Sequence, residues 1–501
     1  MFPSQVHRNI YLVLLALLGG SMVTSVWLSN LVWILMGLNW LLEGRWREKW
    51  QMACESRLLQ AYTVLYLLLL MGMLWTSNTN HGFSVLQVKM PLFFVPLVML
   101  TTRPVTGRAR HFILWFYATA VLVVSIIGTV RLLTIPDLPY RDAVPYISHI
   151  RFSLNCCMVI FLACSEMRHT TIGLRVMLAL LTLWLLTFVV MMHSYTAISV
   201  LAVVSLAVLL LRHRRWQLLV LWFALVGGLA AIVGYEVKSY YTLCPLAREP
   251  LHPFTANGRP YDHARDGVIE CGNYINNYVC REELHDEWQR RSTLPYNALT
   301  ESGYSVESTL IRYLNALSLT KDSVGVATLT AQQVHDVERG VANPVYESRN
   351  PLRKMVYVLL LEREFHLHYN AVWGFSMLQR FELWDAALQV VQRHPWVGVG
   401  TGDVDDELHN QLFQQHSHLA GTQKSTHNQY LSFLTAFGII GAVVLVFFFL
   451  RAAPRLRRQP TLLLAWTFII LISCLTEDTL DTLAGILFST WFLAHRNNQT
   501  Q

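Results

Sequence analysis

The segment 425–450, STHNQYLSFLTAFGIIGAVVLVFFFL, joins a polar stretch to a long apolar run. From Tyr430 onward it contains no charged residue, and as a helix it is long enough to cross the roughly 30 Å hydrocarbon core of a bilayer. Similar runs recur along most of the 501 residues, of which 53% are hydrophobic and 14% charged. Soluble domains carry about 25% charged residues. We therefore predict an all-α polytopic membrane protein.

Apolar segments in the sequence predict about twelve transmembrane helices. They lie near residues 9–23, 26–42, 58–76, 88–102, 111–132, 151–165, 173–191, 194–211, 216–235, 428–450, 461–475 and 479–495. The intervening polar stretch predicts one large, mainly helical loop domain. The expected organisation is a membrane region over 1–235 with about nine helices, a loop domain over 236–426, and a membrane region over 427–501 with about three helices.

Basic residues are concentrated in alternate loops between the predicted helices. The clusters are Arg45, Arg47, Lys49 and Arg57; Arg103, Arg108 and Arg110; Arg168 and Arg175; Arg212, Arg214 and Arg215; and Arg451, Arg455, Arg457 and Arg458. Lys and Arg favour cytoplasmic loops, so we expect both termini to be cytoplasmic and the loop domain to lie outside, which is the periplasm if the host is Gram-negative. This distribution accounts for the net charge of +7, and the expected partners include membrane lipids but no nucleic acid.

The predicted loop domain contains three amphipathic segments with apolar residues at helical spacing. They are SVESTLIRYLNALS at 305–318, NPLRKMVYVLLLEREFHLHYN at 350–370 and SMLQRFELWDAALQVVQRH at 376–394. Cys244, Cys271 and Cys280 also lie in the loop, where an oxidising compartment would allow one disulfide among them. The sequence contains neither CxxC nor HExxH, so we predict no metal site.

A series of motifs begins on the third of these helices. Arg380 and Trp384 lie four residues apart, HPWVGVGTGD follows at 394–403, and HNQYLSFLTAFGIIG follows at 427–441. The glycines in the second motif indicate either a turn after the helix or a backbone anion site, and they lack the spacing of a nucleotide site. The order of motifs resembles the O-antigen ligase and O-antigen polymerase superfamily. HIRFS at 149–153 and LTEDTLDTLAGILFSTWFL at 475–493 resemble its Bacteroidetes-type members.

The resemblance implies a glycosyltransferase that inverts the anomeric carbon without a metal or other cofactor. Its donor would be a glycan on undecaprenyl diphosphate, and its acceptor would be a sugar hydroxyl of lipid A core, as in an O-antigen ligase. One alternative is an O-antigen polymerase, whose acceptor is a second lipid-linked glycan. Others are a protein O-oligosaccharyltransferase and, outside enzymes, a polysaccharide transporter. The sequence alone leaves these alternatives open.

The resemblance assigns Arg380 and Arg151 to diphosphate binding, with Trp384 in a supporting role. Arginine suits this task because its planar guanidinium binds phosphate oxygens in pairs and stays charged. The sequence HSYTAIS departs from the family pattern, because Tyr195 lies where many ligases have an arginine. We expect Arg151 to replace that charge and Tyr195 to donate a hydrogen bond. Alternatively, Arg380 is simply solvated and Arg151 only reaches for the membrane interface.

The resemblance assigns the catalytic role to His427, where the loop re-enters the membrane. An imidazole can accept the proton of the attacking hydroxyl or, when charged, bind diphosphate. Asn428 would orient the ring or the phosphate, and the alternative is that both residues only cap the following helix. Glu477, Asp478 and Asp481 cluster in the turn between the last two predicted helices, and these carboxylates either orient His427 or Arg380 or are merely solvated.

Overall fold

A computed structural model describes most of the chain. The described residues are 4–135, 138–167, 170–212, 216–264, 267–348, 350–369, 376–417, 419–422, 425–452 and 461–495. They form two compact units. The first comprises Met1–Trp222 and Gln379–Gln501, and the second comprises Phe223–Leu378.

The chain before the polar stretch is a succession of helices. They are α1 (Ser4–Thr24), α2 (Val26–Glu43), α3 (Trp46–Glu55), α4 (Arg57–Gly72), α5 (Thr79–Lys89), α6 (Pro91–Leu100), α7 (Gly107–Thr134), α8 (His149–Glu166), α9 (Ile172–Met191), α10 (Tyr195–Arg212) and α11 (Trp216–Tyr241). A 3-10 turn at Tyr140–Asp142 precedes α8.

Shorter elements follow in the polar stretch. They are α12 (Pro245–Arg248), β1 (Ile269–Glu270), β2 (Asn273–Tyr274), α13 (Arg281–Arg291), α14 (Val306–Ala316), α15 (Ser323–Ala327), α16 (Ala331–Arg339), α17 (Pro351–Tyr369), α18 (Ser376–Arg393) and α19 (Val404–Gln414). The chain then forms α20 (Gln429–Ala452), α21 (Thr461–Thr476) and α22 (Leu483–Trp491), with 3-10 turns at Thr479–Asp481 and Phe492–His495.

Within the described residues, eight helices are long and apolar enough to cross a membrane, with α5 and α6 counted as one. These are α1, α2, α5 with α6, α7, α9, α10, α11 and α20. Three more apolar helices, α4, α21 and α22 with its 3-10 extension, are shorter. Together with α8, they correspond to the predicted membrane segments. The helical membrane architecture is confirmed, whereas the count of about twelve spans and the side on which the loop lies remain predictions.

The last helix of the first unit packs against the first. The Trp491 side chain is fully buried, and its Nε1 donates a 2.9 Å hydrogen bond to the Leu15 carbonyl of α1. A Cβ at Gly19 would lie 2.6 Å from the Trp491 ring, so only glycine leaves room for this packing. Small residues commonly permit such close helix contacts in membrane proteins. Both ends of the chain therefore contribute to the same core.

A break in α20 accounts for the glycines of the HPWVGVGTGD motif. Gly438 lies inside α20 with a φ of 56°, which interrupts the helical hydrogen bonds. The motif supplies substitutes: Val399 N donates to the Thr435 carbonyl at 3.0 Å, and Ile439 N donates to the Pro395 carbonyl at 2.8 Å. Unpaired backbone groups are costly in a membrane, so the broken helix and the motif stabilise each other. The motif is therefore a structural partner of α20.

The second unit is built around Trp288 of α13, which is fully buried against α14 and α16. β1 and β2 form a short antiparallel hairpin beside this core. The fully buried Glu270 of β1 binds Arg312 of α14 through two hydrogen bonds of 3.0 and 3.1 Å. Asn343 donates another at 2.9 Å, so the buried charge is paired.

Two predictions about the polar stretch meet different outcomes. The three amphipathic segments form α14, α17 and α18, close to the predicted bounds. The disulfide is not formed, because Cys244, Cys271 and Cys280 are all free thiols.

Candidate functional site

Arg380 on α18 forms the ion pair from which the candidate site is built. Its Nη2 lies 2.6 Å from Oε1 of Glu477, in the turn that follows α21. The two side chains are only 11% and 8% exposed. A buried pair of this kind fixes the orientation of a guanidinium more firmly than a surface pair would. Of the two alternatives for Arg380, the solvated one is therefore excluded in the structure.

Asp478, the residue after Glu477, holds the turn that carries His427. Its carboxylate accepts hydrogen bonds from the backbone N–H of His427 at 2.8 Å and of Asn428 at 3.1 Å. It also accepts from the hydroxyls of Ser425 at 2.6 Å, Thr426 at 3.2 Å and Ser432 at 2.9 Å. This network stabilises the backbone of His427 in the left-handed region, with a φ of 49°.

Trp384 joins α18 to the same turn. Its indole Nε1 donates a 2.9 Å hydrogen bond to the carbonyl of Thr426, the residue before His427. Arg380 and Trp384 are four residues apart and therefore share one face of α18. The R-x3-W spacing thus brings one cation to Glu477 and one indole to the His427 turn. Trp384 thus contacts the turn that carries His427, and its supporting role in diphosphate binding remains a prediction.

Asn428 caps α20. Its side-chain Oδ1 accepts from the backbone N–H of Tyr430 and of Leu431, both at 3.1 Å. These are two of the backbone donors that the first turn of a helix leaves unpaired. The structure therefore uses this oxygen for the helix, which corresponds to the alternative that the sequence left open for Asn428.

Arg151 lies in the first turn of α8 and faces the turn that follows α21. This turn carries Glu477, Asp478 and Asp481, and we call it the acidic turn. The positive charges of Arg380 and Arg151 both act on the Glu477 carboxyl. The Arg151 Nε is shielded from solvent and has no hydrogen-bond partner among the described residues. An unpaired buried donor is costly, so this atom is available for an anion.

The start of α8 adds further polar groups to the site. Burial, followed by the charges of Arg141 and Arg380, lowers the pKa of His149 to about 4. The imidazole is therefore neutral near pH 7. Its ring lies 5.8 Å from that of Tyr140, which in turn lies 4.7 Å from the ring of His193. The rings of Tyr140, His149 and His193 therefore lie side by side near the start of α8.

Tyr195 is the first residue of α10 and lies next to a contact with the acidic turn. The hydroxyls of Thr196 and Thr476 are 3.3 Å apart, and Thr476 immediately precedes Glu477. This places the start of α10 beside the end of α21. Tyr195 is therefore in the region where the resemblance expects it, and its role as a hydrogen-bond donor remains a prediction.

The electrostatics of the site favour an anionic ligand. Burial raises the pKa of Glu477 above its ordinary value, while the charges of Arg380 and Arg151 oppose that rise. Two arginines therefore lie near one carboxylate, that of Glu477, and burial disfavours its negative charge. Among the described residues, no group of three or more His, Cys, Asp or Glu side chains could hold a metal ion. The arrangement can bind phosphate oxygens through guanidinium groups, with His427 held on a fixed turn beside them.

A known protein family matches the segment that carries the central part of this site. Residues 365–446 match the family model described as O-antigen ligase. This match supports membership of the chain in the O-antigen ligase superfamily. A search of curated proteins gave no match.

The O-antigen ligase match covers α18 with Arg380 and Trp384, the glycine motif, and the first part of α20 with His427. Arg151, Tyr195 and Glu477 lie outside the matched segment. The structure nevertheless brings Glu477 into direct contact with Arg380. The acidic turn is therefore part of the site, although the family model does not extend to it.

Three features of the site could not be found from sequence patterns. The sequence includes Asp478 among three carboxylates that orient His427 or Arg380 or are solvated, but its hydrogen-bond network requires the folded turn. His149 lies two residues before Arg151 in HIRFS, but a single histidine in a sequence does not indicate a functional site. Lys89 of α5 pairs with Asp481 at 2.8 Å, and Gln429 donates to the same carboxylate at 3.0 Å. The sequence around Lys89, two residues before Pro91, does not indicate that its partner is Asp481.

Proposed function

We propose that the protein is an O-antigen ligase that transfers a glycan from undecaprenyl diphosphate to a sugar hydroxyl of lipid A core. The reaction would take place at the periplasmic face of the bacterial inner membrane. The membership in the O-antigen ligase superfamily supports transfer of lipid-linked glycans. The proposal adds the donor, the acceptor and the cellular face.

A single observation carries this proposal: the acidic turn connects Arg380 to His427. Glu477 binds the guanidinium of Arg380, and the adjacent Asp478 binds the backbone of His427. The proposed phosphate ligand, Arg380, and the proposed proton acceptor, His427, are thus held by two consecutive residues. Transfer from a lipid diphosphate requires this pairing, because the leaving group is an anion and the attacking hydroxyl must lose a proton.

The proposed reaction is an inverting displacement at the anomeric carbon. Arg380 and Arg151 bind the diphosphate and stabilise the negative charge that develops on it. The acceptor oxygen forms a bond to the anomeric carbon as the sugar–phosphate bond breaks, and the electron pair leaves with undecaprenyl diphosphate. The neutral imidazole of His427 takes the hydroxyl proton. The step is balanced without a metal or other cofactor.

An in vitro assay with purified protein tests the proposal. The donor is a glycan on undecaprenyl diphosphate, and the acceptor is either lipid A core or a second lipid-linked glycan. A ligase should transfer only to lipid A core. Chain extension of the second lipid-linked glycan without transfer to lipid A core would instead assign a polymerase. Transfer to neither of these acceptors, with transfer to an added protein acceptor instead, would contradict both assignments.

Substitution of Arg380 tests the phosphate site in this assay. Arg380→Ala should abolish transfer because it leaves Glu477 unpaired and removes a guanidinium from the diphosphate. Arg380→Lys should recover little, since one ammonium does not replace a planar fork. Arg290→Ala, on an exposed side chain of α13, is the control and should retain transfer. Near-normal transfer by Arg380→Ala would remove this residue from the site.

Substitution of His427 tests the proton transfer. General-base catalysis contributes about 10²- to 10⁴-fold, so His427→Ala should lose that much in single-turnover rate. Donor binding, measured separately with the lipid-linked glycan, should fall much less. A parallel loss of binding and rate would make His427 a diphosphate ligand. Full transfer would leave it only the structural role.

A further inference from the structure

The outer ends of α7 and α8 carry more positive charge than a diphosphate requires. We define the outer arginine patch as Arg131, Arg141, Arg151 and Arg380. Arg131 donates to the carbonyl of Asp142 at 3.4 Å, and Arg141 is the residue before Asp142. The guanidinium of Arg141 lies over the Tyr140 ring, which packs against the His149 ring at the start of α8, and the charges of Arg141 and Arg380 both act on His149.

Ion pairing within the patch is incomplete. Arg380 is paired with Glu477. Among the described residues, Arg131, Arg141 and Arg151 form no ion pair with a carboxylate. The Nε atoms of Arg131 and Arg151 are shielded from solvent and lack a hydrogen-bond partner there. Adjacent unneutralised cations repel one another, so an anion bound between them stabilises the patch.

Arg141 differs from the other members because it is exposed. Its Nε lies 3.4 Å from the hydroxyl of Tyr140, and its guanidinium carbon lies 5.7 Å from the centre of that ring. The ring supports the guanidinium beside the entrance to α8 without neutralising it. Arg141 can therefore meet a charged group of a bound substrate that does not reach Arg151 or Arg380.

We propose that Arg141 is a specificity-determining residue that binds a third anionic group of the substrates, outside the donor diphosphate. This inference rests on the proposed function. Arg380 and Arg151 already match the two phosphates of the donor, one charge each. Arg131 binds the backbone carbonyl of Asp142 rather than its carboxylate, so the charge of Arg141 is left for a further anion. The third group is a phosphate or a carboxylate on the sugars, carried by the acceptor core or by the donor glycan.

The test pairs each variant with substrates that carry or lack the additional charge. The acceptors are a phosphorylated lipid A core and the same core after removal of its sugar phosphates. The donors are undecaprenyl-diphosphate-linked glycans with and without a uronic acid. With the charged substrate, Arg141→Gln should raise the KM of that substrate about tenfold while kcat changes little. With uncharged sugars, the variant should match the wild type.

Arg141→Lys should restore most of the affinity, because a single charge suffices for this contact. Arg290→Gln is the control and should leave both KM values unchanged. The substrate whose charge produces the tenfold effect identifies the source of the anion. An equal loss with all substrates, or no loss with any, would overturn the inference. Failure of the proposed function is distinguished because the wild-type protein would then transfer glycan to neither form of lipid A core.

Discussion

At the residue scale, Asp478 determines whether the His427 turn can exist. The side chain is only 4% exposed, yet it carries a charge that five donors satisfy. A hydrogen bond to a charged group contributes roughly 1.5–3 kcal/mol. The left-handed backbone of His427 costs about 1–3 kcal/mol for a residue other than glycine, which is of the same order as one such bond.

Asp478→Ala should therefore reduce transfer at least as strongly as His427→Ala. Asp478→Asn should have an intermediate effect, because an amide keeps one acceptor oxygen but loses the charge. Transfer rate and thermal unfolding of the purified variants provide the measurement. Asp406→Asn, at an exposed carboxylate that accepts a hydrogen bond from the Asn78 side chain, is the matched control. Wild-type transfer by Asp478→Ala would contradict the positioning role.

Glu477 gives the site a predicted pH dependence. Because burial raises its pKa above that of an ordinary glutamate, it gains a proton sooner as the pH falls. Protonation removes the charge that orients Arg380. As the pH falls, transfer should therefore begin to decline at a higher pH than an ordinary glutamate would cause. Transfer should be retained at pH values above that decline. In Glu477→Gln this acidic limb should be absent, at a lower overall rate. An unchanged limb in a pH profile of kcat would assign it to another group.

At the element scale, the break in α20 explains two motifs together. A Cβ on Gly438 would lie 2.5 Å from the Pro395 carbonyl, and the φ of 56° disfavours other residues. Gly438→Ala should lower the unfolding temperature by several degrees, because the left-handed backbone alone costs about 1–2 kcal/mol. Gly37→Ala in α2 is the control, since nothing lies within 4 Å of a Cβ there. Equal stability of the two variants, measured by thermal unfolding, would show that the break is not required.

Helices and their faces could be predicted from sequence, whereas long-range contacts could not. Apolar runs and the spacing of Arg380 and Trp384 are local patterns, and the helices follow from them. The pairing of Val399 with Thr435, by contrast, requires α20 to be broken, and a glycine in an apolar run does not reveal that. The five donors of Asp478 likewise come from chain far from it in sequence. The family resemblance located Arg380 and His427, and the structure explains how they are held.

At the scale of the whole molecule, exposed apolar surface requires a lipid environment. In α11 only Tyr240 is buried, although the helix is apolar over most of its length. Exposed side chains there include Phe223, Leu225, Leu229 and Ile232. In water this surface would be strongly unfavourable, at roughly 25 cal/mol for each Å² of apolar area. The helix is stable as a single element because lipid replaces water around it.

The orientation of the chain gives the last prediction. Alternate loops carry the arginines, and Lys and Arg are retained on the cytoplasmic side during insertion. A reporter fused after Arg215 or Arg458 should therefore be cytoplasmic, and one fused within 250–420 should be periplasmic. Alkaline phosphatase, which is active only outside, and green fluorescent protein, which fluoresces only inside, give complementary readouts for each site.

The same orientation constrains the chemistry. The donor diphosphate must meet Arg380 and His427 on the side where the segment 250–420 lies. Cytoplasmic placement of that segment would separate the site from any periplasmic acceptor and would contradict the proposed ligase. Arg212, Arg214 and Arg215 can all be changed to glutamine. If the reporters then no longer show the expected locations, these charges determine the orientation of the chain. Unchanged topology in that variant would assign the orientation to the other basic loops.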